Sequence, residues 1–147
     1  MHYREQIRKA VITAVTGLTT TATRVKSAPV YNFQDNMSPT LAVWIRSATP
    51  DYENGQMQAS PLWVIEVIVE GYAKVYTDLM DTLDDMASEV ETAIYANTAL
   101  NALVNSYIEC GQQSIEVNTD GNEPVGKIEM VFNMYYHAQE GAPNNKI

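Results

Sequence analysis

Apolar residues at helical spacing predict two amphipathic helices. The first covers residues 3–15, where the apolar positions lie about one helical turn apart: Ile7, Ala10, Val11, Ala14 and Val15. Gly17 follows where this helix is expected to end. The second covers residues 78–97, with Thr77 or Asp78 as its N-cap and apolar positions at steps of four and three: Leu79, Leu83, Met86, Val90 and Ile94. A short helical segment is expected at residues 99–104.

Alternating apolar and polar residues predict the strands. The clearest is Leu62 to Tyr72, because every second residue from Trp63 to Val69 is apolar. Other strands are expected at residues 41–47, 107–117 and 126–136, with a weak one at residues 24–27. The last two long strands are expected to form an antiparallel hairpin, because Asp120-Gly121 between them is a turn signal.

The order of these elements predicts the fold class. Strands and helices do not alternate regularly, which favours an α+β domain with an antiparallel or mixed β-sheet of about four to five strands and helices packed on one face. At 147 residues the chain is expected to form a single domain, residues 1–138. Residues 139–147 are polar and include a glycine and a proline, so a flexible C-terminal tail is expected there.

Acidic residues share one position in the strand pattern. They alternate with apolar neighbours in three of the predicted strands: Glu66, Glu70, Glu116 and Glu129. These residues are expected on the sheet face away from the helices, either as a plain solvent-facing surface or, if several subunits form a ring, as a negative lumen. The formal net charge of −9 argues against a protein that grips nucleic acid by its phosphates, so DNA would pass such a lumen without being held.

Candidate catalytic and metal-binding residues are sparse. The two histidines, His2 and His137, lie near the termini, and the one cysteine, Cys110, has no histidine near it in sequence. This gives no basis for a hydrolase triad or a zinc site, and no glycine motif for nucleotide binding is present. The acidic run of Asp78, Asp81, Asp84 and Asp85 is better explained as a solvated helix face than as a cation site. We therefore predict no enzyme activity, no metal and no cofactor.

Candidate contact residues lie on strand 41–47 and in two connections. Trp44 and Arg46 alternate with the apolar residues of that strand, and aromatic and arginine side chains are frequent at interfaces. A second small core under a loop is an equally good explanation for Trp44. Residues 48–61 form an unusually long predicted connection, and long loops are often functional. From this loop and the hairpin tip we select further candidates for subunit or partner contact: Asp51, Tyr52, Glu53, Asp120 and Asn122.

The order and spacing of these segments resemble the tail terminator, or tail completion, proteins of long-tailed bacteriophages, especially the lambda-like minor tail protein. The resemblance covers nearly the whole chain. In the first half it rests on the first helix, the stretch Ser38–Ile45 and the acidic loop Asp51–Glu53. In the second half it rests on the strand Leu62–Val69 with Trp63 and Glu66-Val67, the acidic helix from Asp78 and a closing hairpin that ends in Met134-Tyr135-Tyr136. The chain departs from the lambda-like pattern in its longer C-terminal tail and its asparagine- and glutamine-rich ends.

The resemblance implies a structural protein of the virion, located at the head-proximal end of the tail and assembled in the host cytoplasm. Such a protein forms a ring, commonly hexameric, that binds the end of the tail tube, stops tube polymerisation and offers a surface to the head-tail connector protein. It has no catalytic residues. A tail tube or head-completion (connector) protein is the first alternative, and a small ligand-binding or regulatory α+β domain is the second. No sequence stretch is long and apolar enough to predict a membrane span.

Overall fold

The computed structural model describes residues 2–28, 39–51, 62–74, 78–104, 108–118 and 125–137. Within these residues the elements follow in the order α1 (Tyr3–Val15), β1 (Val25–Lys26), β2 (Thr40–Asp51), β3 (Leu62–Lys74), α2 (Leu79–Ala96), α3 (Thr98–Leu103), β4 (Ile108–Asn118) and β5 (Val125–His137). The fold class is α+β, as predicted, and the predicted C-terminal tail lies outside the described residues.

Helix α1 has the predicted limits because its ends carry specific stop signals. His2 caps the first turn, since its Nδ1 accepts a hydrogen bond of 3.0 Å from the backbone N–H of Arg4. Beyond the helix, Gly17 has φ +91°, a conformation that side chains with a Cβ rarely adopt. The buried stripe of the helix is spaced by four residues: Tyr3, Ile7, Val11 and Val15. This stripe faces β2 and the neighbouring helices.

Helix α2 buries the predicted apolar stripe, but its N-cap lacks the expected side-chain hydrogen bond. Leu79, Leu83, Met86, Val90 and Ile94 are all buried. Asp78 occupies the N-cap position with φ 59°, and its side chain makes no capping hydrogen bond. The predicted N-cap position of Asp78 is confirmed, but its side chain does not supply the expected hydrogen bond, and the alternative cap, Thr77, lies outside the described residues. The turn before α2 needs a left-handed backbone conformation at Asp78, and aspartate adopts that conformation more readily than most residues.

The strands form one sheet in the order β1-β2-β3-β5-β4. Strand β1 runs parallel to β2, whereas the other neighbours pair antiparallel, so the sheet is mixed. The predicted β4–β5 hairpin is confirmed, with Ile115 opposite Ile128. Helices α1 and α2 contact β2, β3 and β5 and cover one face of the sheet. The alternate residues Ile65, Val67 and Val69 point into that core, as predicted.

Strand β2 runs four residues beyond its predicted end at Ser47. A bulge interrupts the alternation from which the end was predicted. Ile45 pairs with Val67 and Ser47 pairs with Glu66, which leaves Arg46 as the extra residue. The bulge shifts the alternation by one residue, so Ala48 returns to the core side. The long connection predicted from Ala48 therefore begins after Asp51.

Candidate functional site

The sheet face opposite the helices brings the predicted acidic residues together. Glu70 lies directly opposite Glu129, and Glu66 is four residues from Glu70 on the same strand, so all three share a face. Glu116 lies opposite Lys127, the next residue but one to Glu129, and therefore joins the same face. We call these four residues, with Arg46 and Lys127, the sheet-face cluster. The structure thus groups the residues as the alternation predicts.

Glu70 is buried within this cluster, with 2% of its side chain exposed. Its Oε1 accepts a hydrogen bond of 2.6 Å from Nε1 of Trp44, and its Oε2 lies 2.7 Å from Nζ of Lys127. The hydrogen bond to Glu70 raises the pKa of Lys127 above its usual value. Trp44 is therefore part of a buried polar contact between strands. The expectation that Glu70 is exposed on an acidic surface is wrong, because the carboxylate is enclosed by its two partners.

Arg46 joins the other half of the cluster. The bulge directs its guanidinium across β3, where Nε donates to Oε2 of Glu66 at 2.7 Å and Nη1 lies 3.4 Å from Oε1 of Glu129. These two carboxylates, Glu66 first, raise the pKa of Arg46 further. About half of the Arg46 side chain is exposed, so the pairs are screened by solvent and each is a weak contribution to stability.

The sheet-face cluster is consequently less negative than the carboxylates alone suggest. Two cations interleave with the four carboxylates, and only Glu116 is largely exposed, at 4.0 Å from Lys127. Apolar side chains on the same face are buried: Ala42, Ile68 and Val131. The face still carries an excess of negative charge, but part of it is buried, including Glu70 and these apolar side chains.

The remaining predicted contact residues are distributed unevenly. Asp51 is the last residue of β2, where it pairs with Leu62 of β3. Tyr52, Glu53, Asp120 and Asn122 lie outside the described residues. Trp44 and Arg46, in contrast, come together beside helix α1, which the sequence did not indicate.

A cleft of about 480 Å³ separates the first turns of α1 from β2. Arg4, Arg8 and Glu5 line its helix side, where Glu5 is paired with Lys9 at 2.9 Å, and residues 44–48 line its strand side together with Ser27. Arg4, Arg8 and Arg46 are three of the four arginines in the chain. Burial and the charge of Arg4 lower the pKa of His2, which also lines the cleft. Because Arg46 is already paired with Glu66 and Glu129, Arg4 and Arg8 are the cations that this cleft, which we call the basic cleft, offers to an anionic group.

The basic cleft lies at an open edge of the sheet. Strand β1 pairs only with Leu41 and Ala42, so no described strand pairs with the outer side of β2 beyond Ala42. The other edge of the sheet is β4, which is eleven residues long. Every residue from Gly111 to Val117 is exposed, and Ile115 and Val117 are among the exposed large apolar side chains. Unpaired strand edges of this kind readily accept another chain.

Charge is divided unevenly along the chain. The chain carries eight carboxylates and no lysine or arginine between residues 78 and 118, a segment that contains α2 and β4. Six of its nine basic residues lie within the first 51 residues, which contain α1, β1 and β2. Counting charge by segment would have indicated this division from sequence, whereas the alternation pattern of single strands did not.

The candidate chemical residues have structural contacts. His2 caps α1, and His137 ends β5. Cys110 is half-buried and its Sγ accepts a hydrogen bond of 3.4 Å from Nε2 of Gln113. Among the described residues, no three His, Cys, Asp or Glu side chains are grouped so as to hold a metal ion. In the same part of the chain, no helix has the length and apolar character needed to cross a membrane.

Comparison with known proteins does not assign a function to this chain. No protein-family model matches the chain, and no curated protein matches it significantly. The open edges, the basic cleft and the sheet-face cluster are therefore the features on which a functional proposal rests.

Proposed function

We propose that this chain is a structural subunit that self-associates into a ring, and that the ring caps the end of a phage tail tube, as the resemblance to tail terminators implies. The observation that carries self-association is the open edge at β4. Ile115 and Val117 extend an exposed apolar strip along it, 38% and 45% exposed. Natural proteins usually protect long edge strands. The register of β4 is irregular between Cys110 and Gln113, but the strand continues to Asn118 with no described partner on its outer side, and such an open edge favours contact with another chain.

The arrangement of elements supports the same proposal. The segments that carry the resemblance fold as α1, β2, β3, α2 and the β4–β5 hairpin, in one sheet with helices on one side. A ring of such subunits needs two different contact surfaces on opposite sides of each subunit. The β2 and β4 edges provide two surfaces at the two sides of the sheet. Binding of a closed ring to a tube end would then gain from several simultaneous contacts.

The accessible part of the sheet-face cluster, without the buried Glu70, is the proposed lining of the ring. Its excess of carboxylates would repel DNA phosphates, so that DNA passes without being held. Arg46 and Lys127 limit that repulsion, because each is paired with carboxylates of the cluster. In this proposal the chain binds the tail tube protein and the connector protein through its surfaces and performs no catalysis.

Electron microscopy and light scattering of the purified chain test the proposal. A terminator subunit should give discrete rings with one subunit number over a range of protein concentrations. Filaments that lengthen with concentration would instead indicate a tube protein. A species that stays monomeric or dimeric at every concentration would contradict the proposal.

A small ligand-binding domain is the second candidate, and the basic cleft is the observation that favours it. A volume of about 480 Å³ is within the range of ligand sites. This candidate predicts a monomer or dimer that binds an anionic small molecule. Light scattering combined with calorimetry against small anions separates it from the ring.

A further inference from the structure

We propose that the basic cleft receives the acidic face of helix α2 from a second copy of this chain. The contact would be head to tail, with the β2 side of one copy against the α2 and β4 side of the next. This inference rests on the proposed self-association and specifies its contact surface and the residues that make it.

Two arginines of the cleft, Arg4 and Arg8, have no ion-pair partner among the residues that the structure describes. Arg4 and Arg8 lie one turn apart on α1 and both line the cleft. Within the described part of the chain, neither guanidinium makes a hydrogen bond or an ion pair, whereas Lys9 beside them is bound to Glu5 at 2.9 Å. Two neighbouring unpaired guanidiniums favour an occupant that carries more than one carboxylate.

Helix α2 offers such an occupant. Asp81, Asp84 and Asp85 are exposed on its outer side, and the helix contains no lysine or arginine. Glu89 is already engaged, because it accepts a hydrogen bond of 2.9 Å from the backbone N–H of Thr20. The three aspartates in the first half of α2 are thus the carboxylates available to a neighbour.

The two surfaces lie too far apart to meet within one chain. Leu79 and Leu83 of α2 lie against Gly126, which pairs with Ala73 of β3. The strand side of the cleft includes Ile45, which pairs with Val67, six residues earlier on β3. At the rise of a β-strand this separation is about 20 Å along the sheet. In addition, α1 lies over β2, whereas α2 lies over β3 and β5.

Opposite charge on two separate surfaces of one subunit allows a repeating head-to-tail contact. Such a contact closes into a ring when the rotation between neighbours allows it. Individual exposed ion pairs are screened by solvent, so a single contact of this kind is weak. Ring closure holds every subunit by two contacts at once, which makes assembly dependent on protein concentration and on salt.

Charge-reversal variants of the full chain test the contact by sedimentation velocity. The cleft variant carries Arg4→Glu and Arg8→Glu, and the helix variant carries Asp84→Arg and Asp85→Arg. Each should weaken self-association at least roughly tenfold, because like charges would then face each other at the contact. Lys26→Glu with Lys74→Glu is the control for the cleft variant, since it makes the same change in net charge with residues that do not line the cleft. Circular dichroism verifies that each variant is folded.

Mixing the two variants gives the decisive measurement. In the mixture, the native cleft of the helix variant meets the native helix of the cleft variant at one contact. At the next contact, the glutamates of the cleft variant meet the arginines of the helix variant. Both contacts are attractive, so the ring should form again. Assembly of both variants equal to that of the natural chain would overturn the inference and leave the proposed function standing. Loss in the cleft variant alone, or no recovery on mixing, would also overturn the inference. If the natural chain does not self-associate, both proposals fail, and binding of inorganic phosphate to the monomer would then show a small anion as the occupant.

Discussion

The indole Nε1 of Trp44 donates a hydrogen bond of 2.6 Å to the buried carboxylate of Glu70. The same carboxylate binds the ammonium group of Lys127 at 2.7 Å. Because Trp44 is on β2, Glu70 on β3 and Lys127 on β5, one side chain connects three adjacent strands. A charge buried in this way is stable only while its partners remain.

Replacement of Glu70 by alanine should lower the free energy of unfolding by roughly 2–4 kcal/mol. The variant leaves the Trp44 N–H and the Lys127 ammonium group without their acceptor on the sheet. Urea denaturation measures the change. Glu116→Ala is the control, since Glu116 is 80% exposed and its loss should change the stability by no more than about 0.5 kcal/mol. Equal stability of the two variants would show that the buried contact contributes nothing.

Tyr3 should make the fold sensitive to alkali. Its hydroxyl donates to the backbone carbonyl of Leu103, and burial raises its pKa from 10.0 to about 12. The neutral form is therefore favoured in the folded state, so its contribution to stability is complete below pH 10 and is lost as the pH rises towards 12. Urea midpoints of the natural chain should fall across this window. Tyr3→Phe should be less stable at neutral pH and should lose less stability over the same window. An unchanged slope in Tyr3→Phe would contradict this role.

Gly126 should not accept a side chain. A Cβ at this position would lie 2.9 Å from Cδ1 of both Leu79 and Leu83, the buried leucines that fix α2 on the sheet. Gly126→Ala should therefore destabilise the fold by about 1–3 kcal/mol through overpacking. Gly111→Ala is the matched control in the neighbouring strand, because its nearest contact would be 3.4 Å. A thermal denaturation series should rank Gly126→Ala well below Gly111→Ala.

The periodicity of the sequence was sufficient to predict most elements and the buried side of each. The spacing of Leu79, Leu83 and Met86 fits an amphipathic helix with these residues on its buried side. Strand alternation assigned Glu66 and Glu129 to the correct face of the sheet. The bulge at Arg46 was not predictable, since a single extra residue depends on pairing with β3 and leaves no mark in the alternation. Burial of Glu70 was missed for a related reason, because its partners come from two other strands.

The basic cleft could not be predicted from the sequence segments taken one at a time. Arg4 and Arg8 read simply as polar positions of an amphipathic helix, and Arg46 as the outer residue of a strand. Only the placement of α1 over β2 brings them to one edge. The division of charge along the chain, however, is a property of the sequence itself and indicates which sides of the fold carry opposite charge.

Glu89 should hold the turn after α1 against α2. Its carboxylate accepts hydrogen bonds from both the backbone N–H and the side-chain hydroxyl of Thr20. Glu89→Ala should reduce stability by roughly 1–2 kcal/mol, because hydrogen bonds to a charged group are stronger than neutral ones. Glu91→Ala removes an exposed carboxylate from the same helix and should have little effect. Hydrogen exchange at Thr20 should accelerate in Glu89→Ala alone, and equal protection in both variants would contradict this role.

The location of the sheet-face cluster in the ring can be tested with DNA. The variant Glu66→Lys with Glu129→Lys reverses two carboxylates of the cluster and keeps Glu70 and its partners Trp44 and Lys127 in the chain. If the cluster lines the lumen, rings of this variant should retain linear duplex DNA, which can thread through the ring, but not closed circular DNA, which cannot. Rings of the natural chain should retain neither, because a lumen with net negative charge supplies no cations that could bind the DNA phosphates. Gel mobility measurements with both DNA forms decide the question: equal retention of linear and circular DNA would place the cluster on the outside of the ring.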